Sequence, residues 1–164
     1  MLPSPNGSAI AAAAARSAAG SGPVQGTTQP AAPVIVAACL RNAATAGRWL
    51  AERGTGTPGR PVAVIPAGER WPDGSLRPAL EDLLGAGAVI AALRDAGAGP
   101  LSPEAAAAAA CFTGTPDVGA ALTACASGAE LRARGFAEDV EIAAAAGASS
   151  VVPVLQGGAF TAAS

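Results

Sequence analysis

A short apolar run, Val62-Ala63-Val64-Ile65, passes through a polar turn into a long apolar helix pattern, and this stretch constrains the fold more than any other. The run has strand length and β-branched content. The turn beyond it carries Glu69, Arg70, Asp73 and Arg77. Then Leu76, Leu80, Leu83, Leu84, Gly87 and Ile90 keep helical spacing, which predicts a helix over 76–96 ended by Gly97-Ala98-Gly99-Pro100. A buried strand feeding a helix through a charged turn is the unit from which α/β domains are built.

The rest of the chain repeats that grammar. Leu2 reads as the tail of a strand, and the turn after it leads into an Ala-rich helix over 8–19, with Asn6 or Ser8 as its cap. A Gly/Pro-rich loop over 20–32, with a short strand near Val24, precedes the apolar run Pro33 to Ala38, read as a strand buried on both faces. Cys39-Leu40-Arg41-Asn42 opens a helix to about Arg53, and a Gly-rich loop leads to the second strand, 61–66. After the central helix, Ser102 before Pro103 starts a helix through Ala105 to Ala110, and shorter helices are expected over 117–125, 128–134 and 137–147. Val151 to Leu155 reads as an edge strand because Pro153 disfavours a central place. The expectation is one α/β domain over 1–164, three layers (α/β/α) around a mostly parallel central sheet.

With only three Phe and two Trp, the core must come from Ala, Val, Leu and Ile, with helices close together. All ten basic residues are Arg, and His, Lys and Tyr are absent. That composition excludes a Ser-His-Asp triad, His-containing zinc sites, a phosphate loop built on Lys, and Schiff-base chemistry. A formal charge of −2 leaves no nucleic-acid footprint. No apolar run approaches the ~20 residues of a membrane span, and the run Ile10 to Ala15 lacks the basic flank of a signal peptide. Cys39, Cys111 and Cys125, odd in number and in Ala-rich surroundings, read as reduced, small, buried residues of a cytoplasmic protein.

In an open α/β sheet, ligands bind beyond the carboxyl ends of the strands. Three junctions have that character: Ser4 to Ser8 with Asn6 and Gly7, then Arg41-Asn42, then Glu69 to Arg77. Each precedes a helix and offers unpaired backbone N–H groups. With Arg41, Arg70 and Arg77 the rim suits a small anion such as a phosphate or sulfonate. Glu69 and Asp73 are oxygen donors suited to Mg²⁺. Asp82, in the first turn of the central helix, is a third candidate ligand, whereas Glu81 and an Arg77–Glu81 pair read as helix electrostatics. Trp71 reads as a cover for the turn, and Asp73-Gly74 also fits ordinary turn chemistry. The letters Gly54-x-Gly56-x-x-Gly59 match a dinucleotide fingerprint but stand after a helix and before a strand, the reverse of what it needs. Cys125 and Arg132 are spaced wrongly for a cysteine phosphatase loop.

Taken together, Ser4-Pro5-Asn6-Gly7, Ala38 to Ala43, Ile65 to Arg70, Arg77-Pro78 with Glu81-Asp82, Ser127-Gly128 with Glu130-Leu131, Gly135-Phe136 with Asp139-Val140, and Val152-Pro153 resemble the 2-phosphosulfolactate phosphatase family. The resemblance runs through almost the whole chain. It implies Mg²⁺-dependent hydrolysis of a small phosphorylated acid. Glu69, Arg70 and Asp73 would be catalytic, Asn6, Gly7, Arg41, Asn42 and Arg77 would bind substrate, and Glu69, Asp73 and Asp82 would hold the metal. The family's domain begins ahead of Leu2, so an N-terminally incomplete domain is implied, with an exposed sheet edge that favours self-association as a homo-oligomer. The family's Ser-Gly-Arg-Glu-Leu pattern reads Ser127-Gly128-Ala129-Glu130-Leu131 here. The alternative is a truncated or degenerate paralogue that binds a small anion or oligomerises without catalysis.

Overall fold

The computed structural model describes residues 5–19 and 33–163. The readings at Leu2, Ser4 and Val24 lie outside the described residues. Among the described residues, seven helices and four short strands follow one another as α1 Pro5–Ala19, α2 Ala43–Glu52, β1 Glu69–Arg70, β2 Leu76–Arg77, α3 Leu80–Asp95, α4 Pro103–Thr113, α5 Val118–Ala124, α6 Ala126–Ala133, α7 Ala137–Ala144, β3 Pro153–Gln156 and β4 Ala159–Ala162.

The core forms on α3. From Ala86 to Ala91 every residue of this helix is buried, as expected of a helix that is apolar all round. It is flanked by α2 and α4, and Leu84, Val89 and Leu93 meet Leu40, Ala43, Leu50 and Leu122 in one cluster. Small residues permit this crowding. A Cβ on Gly87 would sit 2.2 Å from the Ala108 carbonyl oxygen of α4, and one on Gly47 would sit 2.6 Å from Ala92 Cβ. Local signals set the helix ends: Ser102 Oγ accepts the Ala105 N–H at 3.2 Å with Pro103 in the first turn, and Asp117 Oδ1 accepts the Ala120 N–H at 2.8 Å.

The protein is mixed α/β, but among the described residues the paired strands are antiparallel. β3 and β4 form a hairpin across Gly157-Gly158, and Val36 bridges Val154 on the other side of β3. Ala37 N–H donates to Pro153 O at 3.0 Å and Leu155 N–H to Ile35 O at 2.9 Å. Thus β3 lies between two partners rather than at an edge, with Pro153 tolerated as its first residue. A three-layer arrangement on a mostly parallel sheet is not shown. The stretch 61–66 forms neither helix nor strand, with its Val62 and Val64 against the core and its Ile65 69% exposed, and has no strand partner among the described residues. The 33–38 run is likewise not buried on both faces, since Val34 is 54% exposed.

Element boundaries also differ from the sequence reading. Leu76 and Arg77 form β2 instead of the first helical turn, because the ring of Pro78 disfavours helical geometry at Arg77. Burial on α3 accordingly begins at Leu84, and Leu76, Leu80 and Leu83 are exposed. Helix α2 starts at Ala43, after the Cys39 to Asn42 segment expected to open it, with Asn42 at the cap position. All three cysteines are free, yet Cys39 is exposed and the other two half-buried, so they are not the buried residues expected. No helix among the described residues is long and apolar enough to cross a membrane.

Candidate functional site

The site is built where the β1–β2 hairpin, the start of α1, the first turn of α3 and the start of α6 meet. Gly68, just before the hairpin, has φ +70°, a conformation that a side chain would strain. Glu69 follows at once, and the hairpin register places it directly opposite Arg77. Helix α1 begins early enough that Asn6 lies within its first turn rather than at its cap, and Asn6 Nδ2 donates to Glu69 Oε2 at 3.1 Å. That bond spans 63 residues of sequence and ties the first helix to the hairpin. Gly7 stands next to Asn6 in the same turn.

Two acids act on a third here, without converging as metal ligands among the described residues. Glu69 and Glu81 both act electrostatically on the half-buried Asp82. Burial first, then the neighbouring Glu81 and Glu69, raise the Asp82 carboxyl above its ordinary value, and a hydrogen bond from the Gly68 backbone partly offsets them. Glu81 itself accepts the Ser127 hydroxyl at 2.5 Å through Oε1, and Cys125 Sγ lies 3.7 Å from its Oε2. Cys125 caps α6 through the Gly128 N–H at 3.5 Å.

Arg77 faces this acidic group from β2. Its Nη2 donates to Glu130 Oε1 at 2.8 Å and its Nη1 to Glu130 Oε2 at 3.2 Å, a two-point pair with α6. The guanidinium carbon also lies 4.9 Å from the centre of the Trp71 ring. The bond to Glu130 raises the Arg77 pKa further and lowers that of Glu130. The expected Arg77–Glu81 pair within one helix does not form, because Arg77 is in a strand.

The remaining residues predicted from sequence lie elsewhere. Asp73 accepts both the Ser75 N–H, at 2.9 Å, and the Ser75 hydroxyl, at 2.6 Å, and these bonds lower its pKa; it closes the hairpin turn. Arg70 donates to Gly74 O at 2.7 Å in that same turn. Arg41 reaches the Ile142 carbonyl at 2.8 Å, near the C-terminal end of α7. Asn42 is buried at 5% exposure, accepting the Cys39 N–H at 2.8 Å and donating to Ala37 O and Val151 O at 3.3 and 3.1 Å. The structure therefore brings together Asn6, Glu69, Arg77 and Asp82, and not Arg41, Asn42, Arg70 or Asp73. It adds Glu81, Ser127 and Glu130, of which the last two belong to the Ser127 to Leu131 pattern. A separate concavity of about 440 Å³ between α2 and the 150–152 stretch holds Trp49, with Arg53 stacked on it at 3.7 Å, and none of these acids.

The raised Asp82 carboxyl has a testable sign. A folded-state pKa above the unfolded one favours folding at low pH, and this contribution is lost as pH rises through the folded value. In EDTA, Asp82→Asn is expected to raise the thermal midpoint at neutral pH, with the gain shrinking to nothing below the ordinary carboxylate range. Midpoints of both chains measured across pH decide this; a gain that ignores pH would point to another cause.

On this mixed α/β scaffold, Glu81 and the Asn6-held Glu69 act on Asp82, and Arg77 is clamped to Glu130. The family model described as 2-phosphosulpholactate phosphatase matches residues 14–158, most of the chain, and the protein belongs to that family. The family name carries phosphatase, and hence hydrolase, chemistry. No curated protein matches the chain.

Proposed function

We propose that this chain hydrolyses the phosphate monoester of a small phosphorylated acid, 2-phosphosulfolactate to 3-sulfolactate and phosphate or a close analogue, with Mg²⁺. The observation that carries the reading is the assembly of Asn6, Glu69, Asp82 and Arg77 from separate elements around one acidic group. Oxygen-only donors fit a hard cation, and Mg²⁺ commonly takes one or two carboxylates plus substrate phosphate oxygens. Glu69 and Asp82 would supply those two. Asp73 stays with its turn, and among the described residues no three His, Cys, Asp or Glu side chains converge as a ready metal cage. When bound, Mg²⁺ offsets the local negative charge and polarises the phosphate.

The chain's own residues do the rest. Asn6 holds Glu69 through Oε2, and Oε1, with no hydrogen bond among the described residues, would accept a proton from the attacking water. Arg77 presents N–H groups to a substrate oxygen as charge develops on it. Water adds its oxygen to phosphorus, the bond from phosphorus to the ester oxygen breaks, and the leaving alkoxide takes up the proton that Glu69 received, which restores the carboxylate.

The competing reading, anion binding without catalysis, draws on the lack of a three-ligand cage among the described residues. Phosphate release from 2-phosphosulfolactate and a panel of phosphorylated hydroxy acids separates the two. Turnover is expected with Mg²⁺ and its loss with EDTA. No release from any compound, with phosphate still bound, would establish the second reading.

A further inference from the structure

Opposite charges that face each other across a hairpin normally pair, yet Glu69 and Arg77 do not. They are direct cross-strand partners, where Cβ atoms lie about 4.5–5.5 Å apart, and no ion pair joins them among the described residues. Arg77 instead turns its Nη1/Nη2 fork to Glu130, a residue 53 positions away on another element. The Arg77 side chain is 13% exposed and the Glu130 side chain 48%. The ring of Trp71 lies over the guanidinium. Asn6 takes one oxygen of Glu69, and no hydrogen bond reaches the other among the described residues.

We propose that Glu130 is a positioning residue that draws Arg77 away from Glu69, and so keeps the Glu69 carboxylate open and the Arg77 guanidinium fixed for a substrate anion. The reasoning is one of competition. A guanidinium without Glu130 has a carboxylate already opposite it, and a two-point pair with that carboxylate would consume both groups at once. With its fork on Glu130 and its face on Trp71, Arg77 keeps Nε–H and one N–H on each Nη for a ligand oxygen. This deepens the proposed function and rests on it for the ligand, though not for the pairing.

The test has two arms. In the first, ¹⁵N-arginine NMR follows exchange protection of the Arg77 guanidinium, which needs neither substrate nor metal. Protection is expected in the wild type, in Glu69→Gln and in Glu130→Ala, where Glu69 takes over, and its loss only in Glu130→Ala/Glu69→Gln. Loss of protection in Glu130→Ala alone would overturn the proposal. In the second, Glu130→Ala is expected to lower kcat at least tenfold, and Glu130→Ala/Arg77→Ala to be no worse than Arg77→Ala alone, since Glu130 acts through Arg77. A kcat within threefold of wild type, or independent losses that multiply, would also overturn it. Glu130→Gln, which keeps the side-chain volume, replaces the alanine variant in both arms if the latter unfolds. If no chain releases phosphate, the activity reading fails and the first arm still decides the pairing.

Discussion

Glu69→Gln is expected to lower kcat/KM for phosphate release more than about 100-fold, which corresponds to roughly 2.7 kcal/mol of transition-state stabilisation. The substitution keeps the shape of the side chain and leaves an amide oxygen to accept the Asn6 bond, so the contact between α1 and the hairpin survives. What disappears is the charge. Without it Oε1 neither takes a proton from water nor serves as an anionic donor to a hard cation. Folding should change little, because Glu69 is only half-buried and sits on a two-residue strand. Steady-state rates with Mg²⁺, beside denaturation curves for both chains, make the comparison. Wild-type rates in an active preparation would remove Glu69 from the chemistry.

The second large effect concerns stability. Gly87→Ala is expected to destabilise the fold by about 1–3 kcal/mol, the usual range for overpacking a tight core. Ordinarily alanine is the better helix former by roughly 0.8–1.0 kcal/mol. Here a Cβ would stand 2.2 Å from the Ala108 carbonyl oxygen, 2.8 Å from Phe112 Cβ and 3.0 Å from the Ala108 carbonyl carbon. Two of those atoms are α4 backbone, which cannot give way without moving the whole helix. Gly85, two residues earlier on α3, meets nothing within 4 Å, so Gly85→Ala should follow propensity and stabilise. For a chain of this size, thermal midpoints shift roughly 2–4 °C per kcal/mol. The two variants should therefore move in opposite directions in a thermal or urea melt, and equal stability would show that α3 and α4 do not approach as described.

The difference between those two glycines shows where sequence reading stops. Both are glycines of the same apolar helix, and although helical spacing sets Gly87 on the stripe of Leu83, Leu84 and Ile90, it does not say that the Ala108 backbone lies against it. Much of the chain is nevertheless legible locally. The Ser102 cap with Pro103, the Ala-rich α4 and the breaks after α3 follow from bonds and sterics within one helical turn. The hairpin start of the site was open to the same reasoning, since Pro78 bars Arg77 from a helix and Asp73-Gly74 is turn chemistry. The Gly157-Gly158 hairpin also carried its signal in two letters. The expectation of a mostly parallel sheet came from apolar runs at 33–38 and 61–66, and such runs state that a segment is extended and apolar without naming its partner.

The site divides the same way. The sequence by itself determined that charge would collect around 69–82, that any chemistry would use Asp, Glu, Arg and backbone groups, and that the family is one of phosphatases. Only the tertiary structure decided which of those groups meet. It joined Asn6 to Glu69 across 63 residues, Glu81 to Ser127 across 46 and Arg77 to Glu130 across 53, while returning Asp73, Arg70, Arg41 and Asn42 to turns, caps and the core. Capping, turns and helix propensity act over a few residues and leave a local mark. The long-range pairs join α1 to β1, the first turn of α3 to α6, and β2 to α6, so they depend on where whole elements come to rest rather than on any neighbouring letter.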